Sequence, residues 1–422
     1  MRKILSFFLV SLALIASLTS CAPKTGLLQS KLARITSPNV IPASRAQLVE
    51  DNNAFALDFY QQIHALPGNQ FFSPYSLSIA LAMTYAGASG QTSQQMAKAL
   101  RYTLPAEQLH PAFNALDLDL VPTATADAET DKFQLSIANS LWLQKDYTFL
   151  QTYLDLLAQN YAAGLHTVDF NKSPDPARQA INAWISKQTK EKIKDMIPPG
   201  TIDPNTRLVL ANAIYFNALW VHPFRLMKTT SEPFHLLDGT QASVPMMAEP
   251  KPYSFPYVDG EGFQAIELPY LDDTTGFLIF MPDEGNFPSF EATLNWDKFM
   301  TIRDSLQDKP VAVKLPKFQF STSYNLNTTL QSMGMVDAFD RSSADFSGMD
   351  GKRDLYIGSA IHDAFVKVDE KGTEAAAATT IEVVEVSLPQ GFIELTIDRP
   401  FIFAIQDHKT GTILFLGRLV NP

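Results

Sequence analysis

The stretch EKGTEAAAATTIEVVEVS, residues 370–387, decides how the rest of the chain is read. Four consecutive alanines argue for helix, whereas Gly372 and the β-branched run from Thr379 onward argue for strand. At a period of two, Thr373, Ala375, Ala377, Thr379, Ile381 and Val383 share one face, and Glu374, Ala376, Ala378, Thr380, Glu382 and Val384 share the other. One face could be buried and the other could meet water. Taken alone, the segment is as compatible with an Ala-rich helix or a loop.

Outward from it, 422 residues can bury a large core, and length by itself would allow two or three domains. The formal net charge is -11, or -13 once Arg2 and Lys3 are set aside. That sign argues against nucleic acid and against an anionic membrane surface as electrostatic partners. The first twenty residues read as an export signal: Arg2 and Lys3, an apolar run from Ile4 to Leu18, then Leu18-Thr19-Ser20-Cys21. That quartet resembles a bacterial lipobox, in which Cys21 becomes the first mature residue and carries a lipid. Cys21 is the chain's one cysteine, so no intramolecular disulfide can form. Ala22 after it favours the outer membrane by resemblance to the enterobacterial sorting rule, with periplasmic or surface orientation left open. Residues 21–44 are polar, contain Pro23, Pro38 and Pro42, and read as a flexible lipid-anchored tether with a reach of roughly 25 Å.

A folded region is expected over 45–422. Leu48, Phe55, Ala56, Phe59, Ile63 and Leu66 recur at helical spacing and stop at Pro67-Gly68. Ser76 to Ala86 reads as a buried helix, and Pro176 to Met196 as another. The nearly continuous apolar runs Leu135–Leu143 and Arg207–Leu219 read as central strands. Shorter strands are expected at 265–269, 276–281, 311–315, 393–397, 401–405 and 412–419. Early helices, strands throughout and no internal repeat point to one large α+β domain.

Catalytic chemistry is sparse. The seven histidines, at 64, 110, 166, 222, 235, 362 and 408, show no metal-ligand spacing, so neither metal nor cofactor is expected. Gly87-Ala88-Ser89-Gly90 has the wrong spacing for a nucleophile elbow. Ser73, Ser76, Asn212 and His362 interrupt apolar elements, and their first reading is as hydrogen-bonded core polars.

Nine motifs in order then carry a family resemblance: Phe72-Ser73-Pro74 with Ser76, the run Leu208–Phe224, Glu267-Leu268-Pro269-Tyr270, Leu315-Pro316-Lys317-Phe318, Met333-Gly334-Met335 with Asp337-Ala338-Phe339, Ala344 to Met349, His362-Asp363-Ala364-Phe365, the opening stretch, and Asp398-Arg399-Pro400-Phe401. Together they resemble the serpins, over residues 45–422. The resemblance implies helices packed around a large central mixed sheet, smaller sheets, and an exposed reactive-centre loop at about 370–390 beside a five-stranded sheet. It implies a suicide-substrate inhibitor, not an enzyme: the cut loop inserts into the sheet while the protease remains attached as a covalent acyl complex, a strand-insertion switch.

On that reading Glu370, Gly372, Thr373, Glu374, Ala375, Ala376, Ala377 and Ala378 form the hinge, with Gly372 where it must bend and only small residues inward. Counting sixteen residues from Glu370 places the reactive bond between Val386 and Ser387, with Glu385 or Val384 as alternatives. Val386 suits an elastase-like protease, and the absence of Lys and Arg between Lys371 and Arg399 disfavours trypsin-like ones. Leu388 and Phe392 are expected only as substrate sites. Ser73, Ser76, Asn212 and His362 match the shutter and Trp220 the breach, the point of first insertion. Asp363, where the family more often has Lys, is expected to alter the pH dependence of opening. A monomer is expected, with membrane contact only through the Cys21 lipid. The rival readings are a serpin-fold surface protein that is cleaved without trapping, and a hydrolase, which lacks a nucleophile–base constellation here.

Overall fold

The run Leu208–Leu219 is a strand buried over nearly its whole length, and its two faces explain its unbroken apolarity. Leu208, Leu210, Ile214, Phe216 and Ala218 enter the main hydrophobic core. Val209, Ala211 and Ala213 point the other way, into a second cluster built on Ile181 and Ile185 of the helix Pro174–Gln188. A strand covered on both sides has no use for polar alternation. The computed structural model describes residues 25–120, 133–373 and 391–422. The leader, Cys21, hinge residues Glu374 to Ala378, and the reactive-bond candidates Val384, Glu385, Val386 and Ser387 lie outside the described residues.

Around this strand, a mixed sheet runs in the order Gly26–Leu28, Leu165–Val168, Phe133–Gln144, Leu208–Leu219, Gly372–Thr373, Ile357–Asp369 and Phe318–Asn325. Five of these are the sheet the resemblance implied. The other two are an edge strand from the N-terminal segment and a two-residue strand at the start of the opening stretch. A second sheet, of nine strands, is built mainly from residues 230–316 and 393–419, with Gln70–Phe72 at one edge. Helix Pro74–Tyr85 packs on strands of both sheets. It is apolar all round because it is covered all round, and the Ser73 hydroxyl caps it by accepting from the Ser76 N–H at 3.2 Å.

Three expectations are corrected. The 21–44 segment is not a free tether from Thr25 onward: Gly26–Leu28 pairs antiparallel with the open edge Leu165–Val168, and Arg34 pairs with Asp117 at 2.7 Å. An unpaired strand edge attracts whatever backbone can reach it, and this segment reaches it. The first helix starts at Pro42, proline being well placed in a first turn. The helix expected to Met196 ends at Gln188, because Lys190 and Glu191 take left-handed φ of 49° and 62°. Beyond them Ile193, Met196 and Ile197 pack into the second cluster as turns, which mimics helical spacing in the sequence. A long strand, Gln241–Gly260, went unread because of its prolines; Pro250 and Pro252 sit where the ladder to Gln307–Pro316 slips register, the place where a strand tolerates them.

Candidate functional site

The hinge starts as a hairpin. Asp369 pairs with Gly372 and Val368 with Thr373, leaving Glu370 and Lys371 as the turn. On its far side Gly372 pairs with Leu219 and Thr373 with Ala218, so two hinge residues already separate the strands Leu208–Leu219 and Ile357–Asp369. Lower down, Ile214 and Ala364 pair with each other directly. The two strands therefore splay over Tyr215–Asn217 and Phe365–Lys367, an opening wedge with its first occupant in place.

Trp220 holds this seat. Its indole N–H donates to the Asp369 carbonyl at 3.0 Å, and its backbone N–H to the Lys371 carbonyl at 2.9 Å. Its ring stacks on Tyr270, centroids 4.6 Å apart and planes 9° from parallel. The Tyr270 hydroxyl meets the Thr373 hydroxyl at 2.5 Å, so Thr373 faces the core, the inward phase read from the sequence. Burial raises the Tyr270 phenol well above its ordinary value. Glu370 accepts from Lys317 Nζ at 2.8 Å and Thr229 Oγ1 at 2.9 Å. Burial alone would raise that carboxyl, but these hydrogen bonds outweigh it and hold it low. Gly372 is needed for space and not for a bend: it has no left-handed φ, and a Cβ there would lie 2.0 Å from the Ala218 carbonyl oxygen. That corrects the reason assigned to it from the sequence.

About 20 Å down the strand, at ~3.3 Å per residue, a polar row crosses four strands. Asn139 pairs with Asn212, Asn212 with His362, and His362 with Tyr324. Asn212 Nδ2 donates to Ser76 Oγ at 2.6 Å, to the Ser76 carbonyl at 3.0 Å and to Asn139 Oδ1. His362 Nδ1 bonds Asn212 Oδ1, while Nε2 accepts the Ser73 N–H at 3.1 Å. The ring is thus neutral with its proton on Nδ1, and burial lowers its pKa to about 3. Ser73 Oγ donates to the Leu414 carbonyl at 2.7 Å, so serine and histidine form no nucleophile–base pair here. Asp363 points to the opposite face with Ile361 and Ala213; burial pushes its carboxyl up to about 6, and Oδ1 has no hydrogen-bond partner.

The structure therefore joins Ser73, Ser76, Asn212 and His362, and sets Trp220 apart with the hinge. Asn139, Tyr324, Tyr270, Thr229 and Lys317 were assigned no role from the sequence. Asn139 left a trace there, as the amide interrupting Leu135–Leu143, and Tyr270 and Lys317 lay within quoted motifs. Thr229 left none.

A family model described as Serpin (serine protease inhibitor) matches residues 50–422. A serpin-like protein of Thermococcus kodakarensis is 39% identical over 373 residues, covering 88% of this chain and 84% of its own. Leukocyte elastase inhibitor A of Mus musculus is 38% identical over 386 residues, 89% of this chain and 100% of that one. Among solved structures, the native thermophilic serpin tengpin superposes with a TM-score of 0.83 at 27% identity, covering 94% of this chain and 100% of that one. Uncleaved ovalbumin gives 0.78 at 28%, over 89% of this chain and 100% of its own.

Proposed function

The chain belongs to the serpin family, and from that premise we propose that it is a suicide-substrate inhibitor of an elastase-like serine protease, cut between Val386 and Ser387 and held to the outer membrane by a lipid on Cys21. The observation that carries the trapping mechanism is the register of Gly372 and Thr373. Continued down the wedge in the same antiparallel register, Ala375 comes level with Phe216 and Val366, and Ala377 with Ile214 and Ala364. Thr379 comes level with Asn212 and His362. All three face the core side with Thr373. Only small side chains therefore arrive where the strands must part, and a hydroxyl arrives where the Asn212–His362 bond must break.

Cleavage frees the new end to follow this register while the acyl bond drags the protease along. The difference between native and inserted states is a full strand of hydrogen bonds, which drives the motion without catalysis by the serpin. The leukocyte elastase inhibitors among the relatives support the aliphatic specificity that Val386 suggests.

The test is to mix the protein with elastase and analyse the products by denaturing gel and intact mass. An SDS-stable complex with a released fragment starting at Ser387 is expected. Clean cleavage without a complex would sink the trapping mechanism, and a fragment starting at Val386 would move the bond to Glu385.

A further inference from the structure

Cys21 is followed by only four residues before strand Gly26–Leu28 is reached at Thr25's far side. From Cys21 to Thr25 the chain spans at most about 14 Å, far less than a tether running to residue 44. The strand lies at one pole of the seven-stranded sheet. Leu27 is level with His166, Trp142 and Val209. The hinge seat, at Ala218 and Thr373, lies nine residues further along the same strand, about 30 Å away at ~3.3 Å per residue. The N-terminal strand and the hinge seat at Thr373 thus lie at opposite ends of the sheet.

The docked segment is also unlike the rest of the surface. Leu27, Leu32 and Ile41 are 50%, 47% and 61% exposed, with Leu28 and Ile35 exposed beside them. Between Ala22 and Val49 there are four basic residues, Lys24, Lys31, Arg34 and Arg45, and no acidic one, in a chain of net charge -11. Arg34 and Arg45 neutralise Asp117 and Asp119 of the domain, and Asp155 is taken up by Ser30. Lys31 is exposed and makes no ion pair among the described residues.

We infer that residues 25–41 form a membrane-docking face: an apolar strip, with Lys31 as its one unpaired cation among the described residues, that seats the domain on the bilayer holding the Cys21 lipid and leaves the hinge seat at the far pole. This rests on the proposed lipidation of Cys21. A bare apolar strip of this size would bind weakly, but a lipid on Cys21 keeps the strip at the bilayer, so the strip has only to orient the domain and not to hold it there. The orientation suits an inhibitor whose target arrives from the aqueous side.

The experiment uses the full chain, expressed with its leader and reconstituted into phosphatidylethanolamine vesicles containing one-quarter phosphatidylglycerol. Intact mass reports the lipid, and nitroxide labels on Leu32→Cys and Met227→Cys report depth; Met227 is 91% exposed beside the hinge seat. The expected result is a lipidated chain in which oxygen reaches the label at 32 better than a nickel chelate does, and the label at 227 behaves as in water. A lipidated chain with both labels in water overturns the docking and leaves the anchor standing. Burial of the label at 227 overturns the orientation. A mature chain of unmodified mass overturns the anchor and the docking together.

Discussion

The gap between strands Leu208–Leu219 and Ile357–Asp369 is held differently at its two levels. At the hinge seat a third strand already intervenes, and the contacts that hold it, from Trp220, Tyr270, Thr229 and Lys317, keep the wedge open. At the polar row nothing intervenes, and Asn212 and His362 bond each other directly. On the proposed mechanism, the first level is where insertion would start, and the second would resist its progress. Below the wedge the backbone ladder of Leu208–Ile214 with Ile357–Ala364 and the Asn212–His362 side-chain bond hold the strands together, and on the proposed mechanism an arriving strand must part both, one level at a time.

The sharpest way to break this comparison is Ala377→Arg. It puts a charge at the level of Ile214 and Ala364, where the strands first touch; burying it costs several kcal/mol. At about 1.4 kcal/mol per tenfold in rate, insertion should slow by more than about a hundredfold. The variant is then expected to be cleaved by elastase with almost no SDS-stable complex, and full trapping by it would refute the register.

A second test separates the row from its surroundings by pH. His362 is depressed from 6.5 to about 3, so its contribution to native stability is present above 6.5 and declines by roughly 1.4 kcal/mol per pH unit as pH falls toward 3. Asp363 is raised from 3.8 to about 6, so it contributes in the opposite sense: stability gained as pH falls through 6 and fully present below 3.8. Urea midpoints should therefore change little between pH 6 and 4 in the native protein. Asp363→Asn should uncover the decline, and His362→Gln should leave a rise on acidification. Parallel profiles for all three would show that neither group feels the sheet.

At the seat, Gly372→Val must displace the Ala218 carbonyl. A loss of about 1–3 kcal/mol is expected in denaturant stability, with slower trapping, since the first inserted pair is lost. The smallest effect is expected for Lys317→Ala. Lys317 is 38% exposed, so the pair with Glu370 contributes only about 0.5–1 kcal/mol. That deficit should vanish as pH falls through the lowered Glu370 value, where the wild-type pair is also lost.

The sequence made the strands Phe133–Gln144 and Leu208–Leu219 and the buried helix legible because each is governed by one local rule, continuous apolarity or all-round burial, but it left the central strand Ile357–Asp369 unread. It misread the helix end at Gln188 because apolar residues in turns can repeat at helical spacing. It missed Gln241–Gly260 because the register slip that accommodates Pro250 and Pro252 is invisible locally. Asn212 and His362 stood out as polar residues in apolar runs. Thr229 did not, since its partner Glu370 lies far away in the chain.

By itself the sequence offered a phase for the opening stretch, with Thr373, Ala375, Ala377 and Thr379 on one face and Glu374 on the other, and of these Thr373 lies within the described residues and faces the core. It also determined that no basic side chain is offered between Lys371 and Arg399. Only the tertiary structure decided that Gly372 serves close backbone approach, that the row extends to Asn139 and Tyr324, and that the N-terminal segment is a sheet edge at the pole opposite the hinge seat. These are facts of register between distant strands, and register is set by which surfaces meet when the chain closes on itself, which no local pattern encodes.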